Sequence, residues 1–366
     1  MTGSSVPGTS GMSKWSSAES AQLFETYAPR FKGRERLDHM AVLAELLLHK
    51  GLRADAARVG QMVLAESEGQ SLAAQRARFV LSSNVPRWHY DILRDRPRLD
   101  AYARAIAATV KPGMLVLDIG TGSGILAMMA ARAGAELVVA CEREPMLAEV
   151  ATAIVARNGL ADKVRIINKD STKLEIGVDL PRQADCVISE VISADLLSEN
   201  ILRTMSAART LMTESAPTVP RRGAIHVALV RSEPRFPETI DTIAGFDLSL
   251  FNAVMQPNYF CGTVPPDALL SDGACLFSVD LSGHDTRATA QASTQVRVQE
   301  TGVAVGILQW IEIDLADGVS LETGTGAPSW SWGQSFSPLL HPVSVTAGQS
   351  VTVHGWRTLD SLLVWA

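Results

Sequence analysis

Between Val116 and Gly124 the chain reads VLDIGTGSG, an apolar run that breaks into glycines at alternate positions. Val and Leu in succession favour an extended strand, and Gly120, Gly122 and Gly124 permit the tight turn that carries a strand directly into a helix. Backbone N–H groups of such a turn converge near the first helical residues from Ile125, at the positive end of the helix dipole, so a polar ligand can approach closely. Ligands bind at the carboxyl edge of parallel sheets, and the strands for one are present in order. They are MLVLDI from Met114, ELVVAC from Glu136, VRIINK from Val164 and DCVISE from Asp185, each followed by helical spacing. Short apolar strands alternating with helices predict a parallel sheet covered on both faces.

The flanking regions have different periods. Residues 1–16 are rich in Gly, Ser, Thr and Pro and are expected to form a disordered tail. Over 17–86 Leu37, Met40, Ala41, Leu43 and Leu47 recur on one helical face, Gly51 ends that run, and helical spacing resumes from Ala54. This predicts a helical accessory domain, suited to packing, to dimerisation or to capping an acceptor entrance. The α/β domain is expected over 87–217. After TVPRRG at 218–223 the runs IHVALVR, ACLFSVDL, STQVRVQE, GVAVGILQWIEIDL and QSVTVHGW are separated by turn residues. Residues 218–366 therefore read as antiparallel β structure, a barrel or a sandwich, and the fold class is α/β plus β with a C-terminal antiparallel β-barrel.

Composition excludes several partners. Across 366 residues 46% are hydrophobic and 20% charged, and the formal net charge is −6. No Lys/Arg block is long enough to hold a polyanion, so nucleic acid is not an expected partner. Cys141, Cys186, Cys261 and Cys275 show no metal-ligand spacing and read as buried free thiols, with no metal expected. No basic region followed by an apolar stretch opens the chain, and no run of about 18 apolar residues occurs. A cytoplasmic protein without membrane contact is expected.

A dinucleotide fingerprint, GxGxxG, would need glycine where this chain has Ile125. The spacing GxGxG instead resembles motif I of the Rossmann-like methyltransferases, whose loop wraps the amino-acid half of S-adenosylmethionine, and the resemblance implies Asp118, Gly120, Gly122 and Gly124 as cofactor residues. Glu142 stands 22 residues beyond Gly120 at the end of the next strand, where an acid can accept ribose hydroxyl hydrogens. Its alternative is an exposed residue opening the following helix. Asp170 and Ser171 follow the third strand at the same edge and suit adenine contacts.

The fourth strand leads into ISEVISADLLSEN, which sets Glu190 and Glu199 nine residues apart around a loop. Two such acids can do acid–base work, bind a cation, or lie on a solvated face. The segment resembles the double-glutamate loop of the protein arginine methyltransferase family, whose two glutamates hold the acceptor guanidinium. Other likenesses agree. WHYDILRDRPRLDAYARAI resembles the family's cofactor-covering helix and implies Arg98, six residues beyond Ile92, as a ligand of the cofactor carboxylate. IHVALVR resembles the first barrel strand, GFDLSLFN the dimerisation arm at about 236–270, and WSWGQSF the Thr-His-Trp loop. Trp332 and His89 are the implied acceptor-binding residues, and a homodimer is implied. Phrases such as INKDST and LQWIEIDL are similar to the monomethylating, type III branch, and the arrangement is similar to free L-arginine N-methyltransferases of streptozotocin biosynthesis. Ser193, Ala194 and Ser331 depart from the family pattern.

The chemistry supports the resemblance. A protonated guanidinium is delocalised and poorly nucleophilic, and a pair of carboxylates both fixes one terminal nitrogen and draws positive charge away from it. The implied activity is N-methylation of arginine, as the free amino acid yielding the Nω-monomethyl product in antibiotic biosynthesis, or alternatively within a protein. A non-catalytic scaffold on the same fold is the remaining alternative.

Overall fold

The computed structural model describes residues 15–366 apart from 68–69, 84, 233–235, 237–239, 286 and 329. Most of the expected N-terminal tail, residues 1–14, lies outside the described residues. The helical region comprises α1 (Ala18–Tyr27), α2 (Arg36–His49), α3 (Arg53–Glu66) and α4 (Leu72–Ser82). Its apolar stripes close on one another through Leu43, Leu47, Val59, Val63 and Val80, and Gly51 turns between α2 and α3 with φ +76°. Ser71 caps α4 by accepting the Ala74 N–H at 3.2 Å.

Next come α5 (Trp88–Arg94), α6 (Arg96–Thr109), β1 (Leu115–Ile119), α7 (Ile125–Arg132), β2 (Leu137–Glu142), α8 (Pro145–Arg157), β3 (Val164–Asn168), β4 (Cys186–Ser189), α9 (Ile201–Ala208) and β5 (Thr218–Val219). The strands form a parallel sheet in the order β3-β2-β1-β4-β5. All of β1 is buried, as expected of a central strand with helices on both faces. The chain leaves β1 for β2 on one side and returns as β4 on the other. Such a reversal of strand order opens a crevice at the carboxyl ends, where ligands bind.

The remainder is antiparallel: β6 (Arg222–Val230), β7 (Thr242–Ile243), β8 (Phe246–Asp247), β9 (Tyr259–Gly262), β10 (Ala274–Asp280), β11 (Ala290–Arg297), β12 (Gly302–Ala316), β13 (Val319–Glu322), β14 (Gln334–Val345), β15 (Ser350–Arg357) and β16 (Leu362–Trp365). One sheet runs β10-β6-β12-β14-β9 with β13 on β12, a second runs β11-β15-β16, and β7 pairs with β8. Antiparallel structure is as expected, grouped in two main sheets. Ile225, Val227, Ile311 and Ile313 share one core with the α/β half. A Cβ on Gly223 would lie 2.8 Å from Leu196, so β6 presses its bare backbone against the loop that carries the two glutamates.

One expectation needs correction. Cys141 and Cys186 are buried free thiols, but Cys261 is half-buried and Cys275 is exposed. Cys275 is the second residue of a sheet-edge strand whose burial is uneven along its length, so residence in an apolar run did not bury it. No helix among the described residues is long and apolar enough to cross a membrane.

Candidate active site

The glycine loop makes the expected tight turn. Gly120, Gly122 and Gly124 all have positive φ, and Gly124 is the N-cap of α7. The N–H groups of Gly120 and Thr121 both donate to the Cys141 carbonyl at 3.0 Å, tying the loop to the end of β2. A Cβ on Gly120 would meet Val191 at 2.5 Å, whereas one on Gly122 would meet nothing within 4 Å. Gly122 therefore borders open space, the opening a ligand against the backbone requires.

Two acids border this loop. Glu142 accepts the Gly122 N–H on Oε2 at 3.0 Å and the Glu144 N–H on Oε1 at 2.9 Å. A carboxylate has about four acceptor positions, so two remain for hydroxyl hydrogens. Asp118 is buried beneath the turn and accepts the Thr121 hydroxyl at 2.5 Å, while its Oδ1 has no partner. Burial pushes its carboxyl up to about 7, against the lowering pull of the Thr121 hydroxyl and of the Ala127 backbone N–H at the start of α7.

Glu190 directly follows β4, with its side chain largely enclosed. Arg98 Nη1 meets Glu190 Oε1 at 2.6 Å, and the Trp332 indole N–H donates to the same oxygen at 2.7 Å. Burial raises the Glu190 carboxyl, and the Arg98 charge and the two hydrogen bonds pull it back. Arg98 is 3% exposed, its Nη2 donates to the Ile92 carbonyl at 2.8 Å, and its Nε is buried without a partner. Its guanidinium lies 5.5 Å from the Trp332 ring centroid. Asp95, just ahead of α6, accepts the Arg98 N–H on Oδ1 and the N–H groups of Trp330 and Ser331 on Oδ2, at 3.2, 3.0 and 2.9 Å. It thereby joins the cofactor-side helix to the loop bearing Trp332.

Between the two glutamates Asp195 accepts the N–H groups of Leu197 and Ser198 at 3.1 and 3.0 Å, and the hydroxyls of Ser193 and Ser198. These bonds fold the loop back on itself and deliver Glu199 to the rim. The Glu199 carboxyl is raised by partial burial and by the Glu190 charge, with Arg143 opposing. Asp95 and Asp195 were missed from sequence. Their local signals, an acid before Arg-Pro at a helix start and an Asp flanked by serines, mark a cap and a turn without revealing what they hold.

The outlying expected residues stand as follows. Asp170 accepts the Thr172 N–H and hydroxyl on Oδ1, at 2.9 and 2.6 Å, and caps the short turn that Ser171 opens. His89 stacks on Trp88 with centroids 3.8 Å apart and is lowered by burial; no hydrogen bond joins its ring to either glutamate. Trp332 is 4% exposed and directs its N–H to Glu190, so it supports that carboxylate.

Unpartnered Arg98 Nε and Asp118 Oδ1 are a buried donor and a buried acceptor, complementary to the carboxylate and ammonium of an amino acid. With the free positions on Glu142 they fit S-adenosylmethionine. Residues 101–215 match the family model of the ribosomal protein L11 methyltransferase (PrmA), so the α/β half is a methyltransferase domain. Over 294 residues the chain is 33% identical to the Arginine N(omega)-methyltransferase of Streptomyces achromogenes subsp. streptozoticus, covering 79% of this chain and 81% of that one. It is 33% identical over 264 residues to the Protein arginine N-methyltransferase 7 of Danio rerio, covering 66% of this chain and 38% of the longer relative. The fold resembles that in the Trypanosoma brucei PRMT1 enzyme-prozyme heterotetrameric complex with AdoHcy, with a TM-score of 0.67, 25% identity, and coverage of 75% of this chain and 88% of that one. The chain belongs to the arginine N-methyltransferase family, and its cofactor is S-adenosylmethionine.

Proposed function

We propose that this enzyme methylates the guanidinium of free L-arginine, giving Nω-monomethyl-L-arginine for natural-product biosynthesis. The observation that carries the chemistry is the enclosed Glu190 carboxylate, held on one oxygen by Arg98 and Trp332, with Glu199 across the same loop. Likeness to the Streptomyces enzyme over most of both chains supports the free amino acid.

Bound against the glycine loop, S-adenosylmethionine supplies a sulfonium methyl group. Glu142 would hold its ribose, Arg98 its carboxylate and Asp118 its ammonium, with Asp170 and Ser171 bordering the adenine. Glu190 and Glu199 hold the acceptor guanidinium by charge-assisted bonds and turn one terminal nitrogen into a directed nucleophile. Methylation of a guanidinium nitrogen releases one proton. Glu199, at the rim with a raised carboxyl, receives it and passes it to solvent. His89, on α5, borders the acceptor entrance.

In this reading residues 17–86 are an accessory domain, 87–217 bind the cofactor, and 218–366 form a barrel-like acceptor domain. The arm at about 236–270 pairs two copies of the chain: Phe246, Leu250, Phe251, Val254 and Phe260 all present their side chains to solvent, Leu250 at 90% exposure. Cys141, Cys186 and Cys275, three thiols outside any disulfide, fit the reducing cytoplasm, where we place the enzyme. Mass spectrometry after incubation with S-adenosylmethionine tests the substrate. One added methyl on free L-arginine is expected. Methylation of an arginine-rich peptide alone would favour the protein substrates named for the Danio relative, and no product on either would favour a scaffold.

A further inference from the structure

The core of the four N-terminal helices extends into the cofactor side of the molecule. Met146 is 1% exposed and belongs to the same cluster as Leu43, Leu47, Val59, Val63 and Val80, although it lies in the first turn of α8. Ser83 Oγ approaches its sulfur at 3.8 Å. On either side of Met146 an ion pair ties α3 to the same stretch: Arg53 with Glu144 at 3.3 Å, and Arg58 with Glu149 at 3.0 Å. Arg58 also meets buried Asp55 at 3.3 Å, which fixes it to its own helix.

The stretch held in this way is continuous with the cofactor site. Glu144, gripped by Arg53 through its side chain, donates its own N–H to Glu142 Oε1. The other Glu142 oxygen accepts the Gly122 N–H, so the bundle, the Glu142 turn and the glycine loop form one connected series. A turn of this kind left free would have to be ordered at each binding event, and rigid anchoring removes that entropic cost from the ligand.

We propose that the N-terminal helical domain is the anchor of the Glu142 turn and sets the affinity for the cofactor, with Met146, Arg53 and Arg58 as its positioning residues. This rests on the reading of Glu142 as the ribose acid. The domain acts on cofactor binding through Glu142 and, among the described residues, makes no hydrogen bond or ion pair with Glu190 or Glu199.

The test measures S-adenosylhomocysteine binding by calorimetry in the full chain, with circular dichroism to confirm folding. Met146→Ala removes the anchor and Met146→Leu restores an apolar side chain of similar volume. Arg53→Glu sets like charges face to face, and Arg53→Glu with Glu144→Arg restores the attraction. Met146→Ala and Arg53→Glu should raise Kd roughly tenfold, within the usual range for coupling between separate sites. The KM for S-adenosylmethionine should rise in parallel, while kcat at saturating cofactor and the KM for arginine hold. Met146→Leu and the charge-swapped pair should return towards the parent value. Should Met146→Ala fail to fold, the charge series decides. Parent-like binding in the folded variants, with Glu142→Ala still weakening it, would overturn the proposal while leaving the ribose assignment standing. Parent-like binding in Glu142→Ala would overturn the assignment and the proposal with it.

Discussion

Replacing Trp332 by phenylalanine removes one hydrogen bond from the site and little else. The indole N–H donates to Glu190 Oε1 at 2.7 Å and shares that oxygen with Arg98 Nη1 at 2.6 Å. Phenylalanine retains an aromatic ring in the same enclosed position, so the packing loss is confined to the second ring. A hydrogen bond to a charged group contributes about 1.5–3 kcal/mol, and about 1.36 kcal/mol in a barrier is tenfold in rate. If Trp332 holds Glu190 for the acceptor, kcat/KM for arginine should fall roughly 10–150-fold. The pH profile should change as well. Burial raises the Glu190 carboxyl, and the bonds from Arg98 and Trp332 lower it, so losing the indole N–H lets it climb further. The ionised form holds the guanidinium, and activity is lost as pH falls through the Glu190 pKa. The acid limb of Trp332→Phe therefore moves to higher pH. Profiles of kcat/KM against pH, with S-adenosylhomocysteine affinity measured in parallel, check both effects. A parent-like kcat/KM with an unmoved acid limb would refute the view that Trp332 works through Glu190.

Cofactor affinity should itself depend on pH. Asp118 is pushed up to about 7 by burial, and only its ionised form complements an ammonium, so calorimetric Kd should tighten as pH rises through that value and be weaker and flat in Asp118→Asn. Asp195→Ala deprives the Leu197 and Ser198 N–H groups of their acceptor, which costs about 1–3 kcal/mol at buried Leu197 and less at exposed Ser198, where water can replace it. Hydrogen exchange should speed up at those two amides, and kcat/KM should fall while cofactor Kd holds; unchanged exchange would contradict the role given to Asp195. On the proposed pairing of two copies through the arm, Leu250→Asp places a charge in that contact, and light scattering should show a smaller mass than for the parent at equal protein concentration; a monomeric parent would refute the pairing.

The parallel sheet was readable because its signal is local. Each strand of the α/β half is a short apolar run punctuated by turn residues, and β1 is buried throughout, so it has no polar alternation to confuse it with an amphipathic helix. In β14 the local signal misleads. Pro338 and Pro342 interrupt its pattern, and prolines argue against a strand with neighbours on both sides. The sheet accommodates them because β9 pairs only with Gln334–Phe336, which leaves the rest of β14 at an edge, and because the ladder to β12 shifts register between Ala304 and Gly306. No property of residues 334–345 taken alone announces that arrangement.

The site divides along the same line. Glycine spacing, an acid at the end of β2 and two acids around one loop are sequence patterns, and the glycine loop, Glu142 and Glu190 stand at the carboxyl ends of the neighbouring strands β1, β2 and β4. What those residues do to each other is not a pattern. Glu190 is held by Arg98, 92 positions earlier, and by Trp332, 142 positions later, so the pinning of one carboxylate oxygen emerges only when three regions of the chain meet. The arginine expected at the cofactor is at once the ion-pair partner of Glu190, and the tryptophan expected at the acceptor donates to the same carboxylate. In the proposed reading the cofactor and acceptor sites are thus joined through the Arg98 guanidinium, with Nη1 on Glu190 and Nε unclaimed. A ligand carboxylate on that free edge would compete for positive charge with Glu190. Cofactor binding should therefore raise the Glu190 carboxyl slightly and loosen its tie to Arg98, freeing it to turn towards an incoming guanidinium. This predicts ordered binding, cofactor first, and product-inhibition kinetics in which S-adenosylhomocysteine competes with S-adenosylmethionine and methylarginine does not. Random-order kinetics would show that Arg98 carries no such exchange.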